Sequence, residues 1–238
     1  MRAVLSLTRR GGYGSENKGN AMTEHSLDLA SILCSRLCHD LLSPVGALTN
    51  GLELLADEKD PEMRARCLEL LEQSARISAD KLRFFRLAFG AAGGFGDAVP
   101  VREARELIDA LIANNGRITA VWTLSGETLP KAAIKVLLNL ALIGIEALVR
   151  GGTLEIGAEQ PGGGDSGASE IVVRAAGAKI AFDPMVGQAL DGSLAAADLS
   201  SRTAPAWMIA QLAARQGGAL QFALSDTALV LGAVLPGR

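Results

Sequence analysis

Aromatic residues are scarce in this sequence: two Trp, one Tyr and six Phe, 4% of 238 residues. Leu, Ala, Ile and Val must therefore fill any core. Cationic surplus is missing too. The formal net charge is -3 and no dense Lys/Arg run occurs, so nucleic acid, which asks for a basic patch or stripe, is not an expected partner. Histidine is limited to His25 and His39, and the three cysteines, Cys34, Cys38 and Cys67, form no C-x-x-C pair. A Cys/His zinc site has little to draw on, so no metal site is expected. Unpaired thiols point to a reduced, cytoplasmic compartment. No apolar run reaches the ~20 residues of a membrane span, and Ala3-Val4-Leu5 is too short for a secretory core. No membrane partner is expected.

Hydrophobic residues make up 49% of the chain, enough for a packed core. Residues 1–21 carry Gly11, Gly12, Gly14, Gly19 and Asn20 and are expected to be a disordered extension, with Met22 an alternative start. Residues 24–90 read as two helices. Cys34, Cys38, Leu41, Val45, Leu48, Leu52 and Leu55 are spaced 4, 3, 4, 3, 4, 3, as are Leu68, Leu71, Ala75, Ser78, Leu82, Phe85 and Phe89 beginning 3, 4. That is an a/d seam, on which Cys34 and Cys38 read as small core residues. Asp57-Glu58-Lys59-Asp60-Pro61 supplies the turn, with Asp60 as N-cap and Pro61 at the first helical position. One hairpin cannot enclose such a seam, whereas two paired in a four-helix bundle can. The expectation is a homodimer with Leu41, Val45, Leu48, Leu52, Leu82 and Phe85 at its core. Packing of the seam on the rest of the chain is the alternative.

Gly90 to Gly96 reads as a linker. Residues 97–238 then read as mixed α/β. Helices are expected at Arg102 to Ala113, Pro130 to Val149, 183–190 and 203–216, and strands at 118–124, 153–159 and 170–175, with a hairpin over 219–234. The fold class is α+β, with an antiparallel or mixed sheet carrying helices on one face.

His39 breaks the pattern of the first helix. At 100° per residue it lies about 160° from Leu41, facing solvent with Ser35, Ser43, Asn50 and Glu53. Pro44, five residues on, removes a backbone donor and frees the Asp40 carbonyl, at a cost of about 3 kcal/mol or a bend. A local rule broken beside an exposed nucleophile marks a site. Neutral imidazole is nucleophilic, and free imidazole titrates near about 6.5. Asp40 can fix its tautomer by hydrogen-bonding one ring nitrogen, and Ser43 can meet phosphoryl oxygens. His39, Asp40 and Ser43 are the expected catalytic residues. Arg36, Pro44, Asn50 and Glu53 are expected to support them or dock a partner.

His39-Asp40-Leu41-Leu42-Ser43-Pro44-Val45 resembles the H-box of sensor histidine kinases, and Leu138 to Ala147 is similar to their N-box. The likeness implies that residues 97–238 have the kinase ATPase (Bergerat) fold. The nucleotide chemistry departs from it. Ile143 takes the place of the magnesium-binding Asn, Ala175 that of the adenine-recognising Asp and Lys179 that of a G1 glycine. Ser201-Arg202-Thr203-Ala204-Pro205-Ala206 replaces a glycine-rich G2 box. With Cys38 to Ala47 followed by Asn50-Gly51-Leu52-Glu53-Leu54-Leu55, the chain resembles the ChpT-type histidine phosphotransferases of alphaproteobacterial phosphorelays. The resemblance implies that His39 accepts a phosphoryl group from the receiver domain of a hybrid kinase (CckA-like) and passes it to response regulators (CtrA-like, CpdR-like). No ATP and no cofactor would be bound, and the receiver would hold the magnesium. The rival readings are an ATP-dependent sensor kinase and a non-catalytic receiver-docking scaffold or phosphatase.

Overall fold

The computed structural model of the chain describes residues 16–90, 97–114, 116–160 and 167–237, with side chains from residue 27 onward. Two helices come first, α1 (Glu16–Asp57) and α2 (Pro61–Ala88). The boundary expected at residue 21 falls inside α1, so 16–21 are helical, while residues 1–15 lie outside the described residues. Asp60 caps α2 as its sequence predicts, accepting from the amides of Glu62 (2.8 Å) and Met63 (3.3 Å) ahead of Pro61. The linker residues 91–96 are likewise outside the described residues.

The hairpin is antiparallel. Lys81 Nζ donates to the Asp40 carbonyl (2.8 Å) and an Arg64 Nη1 to that of Leu55 (2.9 Å). The first bond meets a need created by Pro44: α1 passes through the proline without ending, and the carbonyl deprived of its i+4 amide finds a lysine on the neighbouring helix. Gly51 allows the close approach, since a Cβ there would meet Leu71 at 2.8 Å.

The expected seam divides in two. Leu41, Leu48 and Leu55 are partly buried and Pro44 fully so, whereas Val45, Leu52, Leu68 and Leu82 stay exposed. Cys34 and Cys38 are exposed as well, so in the single chain they are not core residues. Phe85 departs from the expected dimer core altogether. It is 4% exposed, stacked on Phe89 (5.4 Å between centroids) and edge-on to Phe84 (5.8 Å), inside the core shared with the rest of the chain.

That rest is a mixed five-stranded sheet in the order β2-β4-β5-β7-β6: β2 (Ile118–Leu124), β4 (Gly152–Glu159), β5 (Ser169–Ala176), β6 (Ala219–Leu224) and β7 (Ala228–Leu235). β2 and β4 are parallel and the other pairs antiparallel. Alternate residues of β4, β5 and β7 point into the core. They meet α4 (Lys131–Ala147), whose buried residues run from Ala132 to Gly144 and include Ala147. α3 (Val101–Ala113), α5 (Pro184–Asp191) and α6 (Ala204–Arg215) complete the helical layer. The α+β architecture is the one the sequence predicts. A small sheet of β1 (Ala98–Pro100) and β3 (Thr128–Pro130) is additional. Gly151 (φ 82°) turns the chain into β4 where a Cβ would strike the Arg117 carbonyl at 2.4 Å.

Candidate functional site

His39 sits mid-helix on α1 with 85% of its side chain exposed, as the helical angle predicts. Its Nδ1 lies 3.3 Å from Asp40 Oδ1. Asp40 is an acceptor when ionised, so the contact places the proton on Nδ1 and leaves the Nε2 lone pair toward solvent. Ser43, Asn50 and Glu53 are exposed on the same helix. Ser43 is one turn from His39, within reach of a group bound there. Asn50 is eleven residues on, about 16 Å along the axis at 1.5 Å per residue, so it and Glu53 can meet a partner's surface but not the reacting atoms.

Two of the residues expected to support the site or dock a partner are buried. Pro44 is buried against the hairpin, because the side that lacks an amide partner is the side facing α2. Arg36 is 8% exposed, out of a partner's reach. Its Nη2 donates to Glu146 Oε1 at the end of α4, its Nη1 to the Ser201 carbonyl before α6 (3.1 Å), and its Nε lies 3.6 Å from Asp40 Oδ2. That Nε is buried and has no hydrogen-bond partner. The guanidinium therefore ties the histidine helix to two segments more than a hundred residues away.

Beside His39 opens a cavity of about 730 Å3, lined by Arg36, Asp40, Ile143, Glu146, Phe182 and Arg202 among others. Burial raises the Glu146 carboxyl above the usual carboxylate range and the adjacent Asp40 adds to this, while Arg36 and Arg202 oppose it. Water still reaches 43% of this side chain, from the cavity that it lines. Arg202 pairs with Asp183 at 3.4 Å. Glu146, Ser201 and Lys81 were not among the expected site residues. The available signal for Glu146 was a single charged residue in the 136–149 stretch, where Asn139 is the other polar side chain.

The two positions that match the kinase magnesium and adenine contacts do not fit those groups. Ile143 and Ala175 are buried among hydrocarbon side chains and offer no oxygen to a hard cation or to an adenine amino group. Among the described residues no helix is long and apolar enough to cross a membrane.

The profile of the histidine phosphotransferase C-terminal domain family matches residues 101–228, more than half of the chain. The protein phosphotransferase ChpT of Brucella abortus (strain 2308) is 41% identical over 135 residues, 57% of this chain; the match spans 63% of that relative's length. A solved bacterial phosphotransferase superposes with a TM-score of 0.74 at 31% identity, covering 87% of this chain and 96% of that one. By profile, by identity and by fold, the chain belongs to the histidine phosphotransferase family.

Proposed function

We propose that this protein is a phosphorelay histidine phosphotransferase with His39 as its phosphoryl carrier. The observation that carries the reading is the pairing of an 85% exposed imidazole with a carboxylate on one ring nitrogen, on a helix held from behind. In the forward step, Nε2 attacks the phosphorus of an aspartyl phosphate. The N–P bond forms, the P–O bond to the aspartyl carboxyl breaks, and its electron pair stays on the receiver's carboxylate. Nδ1 keeps its proton, and the positive charge gained by the ring lies against Asp40. In the return step a second receiver's carboxylate attacks the phosphorus and the ring leaves as neutral imidazole. Ser43 meets the phosphoryl oxygens, and each receiver brings its own magnesium. ATP is not a substrate, since Ile143 and Ala175 stand where the kinases carry the cation ligand and the base acceptor.

The partners of this reading are the receiver of a CckA-like hybrid kinase and CtrA-like and CpdR-like regulators, in the cytoplasm. The active form is a homodimer. With Lys81 level with Asp40, the exposed apolar residues fall in rungs along the hairpin: Cys38 with Leu82, Val45 with Ala75, Leu52 with Leu68. A second hairpin laid on this ladder makes a four-helix bundle with His39 outside.

The test is a phosphotransfer time course from a phosphorylated receiver. Wild type is expected to take acid-labile label and pass it on, and His39→Ala to take none. Label on the Ala variant, or transfer of label from ATP to wild type with no kinase present, would overturn the reading.

A further inference from the structure

We propose that Glu146 is a positioning residue for phosphoryl transfer: by holding Arg36 it leaves the Asp40 carboxylate free to orient Nδ1 of His39. This rests on His39 as the carrier. It deepens that reading, because it gives the second domain a part in the reaction although it binds no nucleotide.

Around the guanidinium of Arg36 stand two carboxylates, Glu146 in hydrogen-bonding contact and Asp40 at 3.6 Å. One cation and two anions leave one negative charge over, and it sits on the carboxylate that faces His39. Arg36 has two routes to neutrality in a buried setting, where an uncompensated charge is costly. With Glu146 ionised, the Glu146 carboxylate and the Ser201 carbonyl engage both terminal nitrogens, and Nε, which makes no hydrogen bond, meets Asp40 only at the ion-pair distance of 3.6 Å. With Glu146 neutral, Asp40 is the sole anion within reach, and closing 3.6 Å to hydrogen-bonding distance satisfies the orphan Nε at once. The same rotation takes Oδ1 away from Nδ1, which is already at the long end of a hydrogen bond at 3.3 Å.

The consequence for the reaction is specific. Without its acceptor, the ring no longer favours the Nδ1–H tautomer, and Nε2 is the lone-pair nitrogen less of the time. The charge gained by the ring during transfer also loses its counter-ion. The groups that face Glu146 are Arg36 and Asp40 from α1 and Arg202 from the loop before α6. Arg202 is tied to Asp183, so it does not replace Arg36.

The bland rival is that Arg36–Glu146 is a staple between domains with no bearing on the imidazole. Glu146→Gln separates the two. It keeps the shape and one acceptor while removing the charge, and Glu146→Asp returns the charge on a shorter arm. Three measurements are made on full-length chains: thermal unfolding, the rate of label transfer from a phosphorylated receiver, and the imidazole 15N shifts of His39. The expected result is an unfolding temperature close to wild type for Glu146→Gln. Its transfer should be slower by about tenfold or more, the scale of one lost charge-assisted hydrogen bond, with the 15N signals moved from the Nδ1–H pattern toward a tautomer mixture. Glu146→Asp should recover part of both. A slow Glu146→Gln with unmoved 15N shifts, or one that transfers at the wild-type rate, overturns the proposal. His39→Ala, run alongside, reports separately on the carrier: label on it sinks the underlying reading instead.

Discussion

The helical hairpin and the α/β domain are built from similar apolar residues but bury them differently. In the domain, Ile134, Leu137, Leu138, Leu154 and Ile171 are at most 1% exposed within one chain. Among the described residues of the hairpin, full burial of large apolar side chains is confined to the end of α2, at Phe84, Phe85 and Leu87, where it meets α3 and α4. Toward its tip, Val45, Leu52, Leu54, Leu68 and Leu70 stand in solvent. The domain buries its apolar residues within one chain, sharing its core with the end of α2, while the rest of the hairpin is finished, on the proposed reading, by a second chain along its length.

The largest effect that sharpens this contrast is on assembly. Each Val or Leu buried between chains is worth about 1.5–3 kcal/mol, counted twice by symmetry. Val45→Glu with Leu52→Glu should therefore abolish the dimer and leave the domain folded. Sedimentation checks this, and a wild-type chain that runs as a monomer at micromolar concentration ends the bundle.

Next comes Phe85 against Leu82, three residues apart on α2. Phe85→Ala should cost about 3–5 kcal/mol of unfolding free energy, because it empties a filled site between hairpin and domain. Leu82→Ala should change a monomeric background by less than about 0.5 kcal/mol yet weaken association. Equal effects on single-chain stability would erase the distinction between the two faces.

A smaller effect is expected at Lys81. Lys81→Met strands the Asp40 carbonyl and should cost about 1–3 kcal/mol in denaturant titration. In a Pro44→Ala background residue 44 regains its amide, so the same change should cost much less. Additive costs would mean that the lysine does not serve the proline.

The smallest is a pH slope. With its carboxyl raised, Glu146 holds its proton more tightly in the folded than in the unfolded chain. That contribution is full below the ordinary glutamate value of 4.5 and is lost as pH rises through the folded value. Relative to wild type, Glu146→Gln should thus gain stability as pH rises above the ordinary glutamate value. A parallel pair of stability curves would contradict the raised value.

Most of the α/β domain was legible because its elements are long and periodic. The alternation Ile118, Ala120, Trp122, Leu124 is β2, and the apolar stretch between Pro130 and Gly151 is α4. β1 and β3, three residues each, carry too few positions to show a period. The hairpin seam was legible as apolar but not as to what covers it. Leu41, Leu48 and Leu55 turn to α2 and Val45 and Leu52 turn away, and a 3-4 spacing spans both faces. His39 was legible from its helical angle and Pro44. Glu146 was not, since its meaning depends on Arg36, 110 residues earlier, and no local pattern encodes that pairing.

The strand order has a consequence for how the chain acquires its structure. β7, made after the other described strands, lies between β5 and β6 rather than at an edge. Until it is made, β5 has a bare row of amides and carbonyls, and Val173 and Ala175 lack the cover of Leu229 and Leu231. The sheet cannot close progressively as synthesis proceeds. The hairpin, whose contacts are local, can form early, and the sheet that supports α4 closes in one late event.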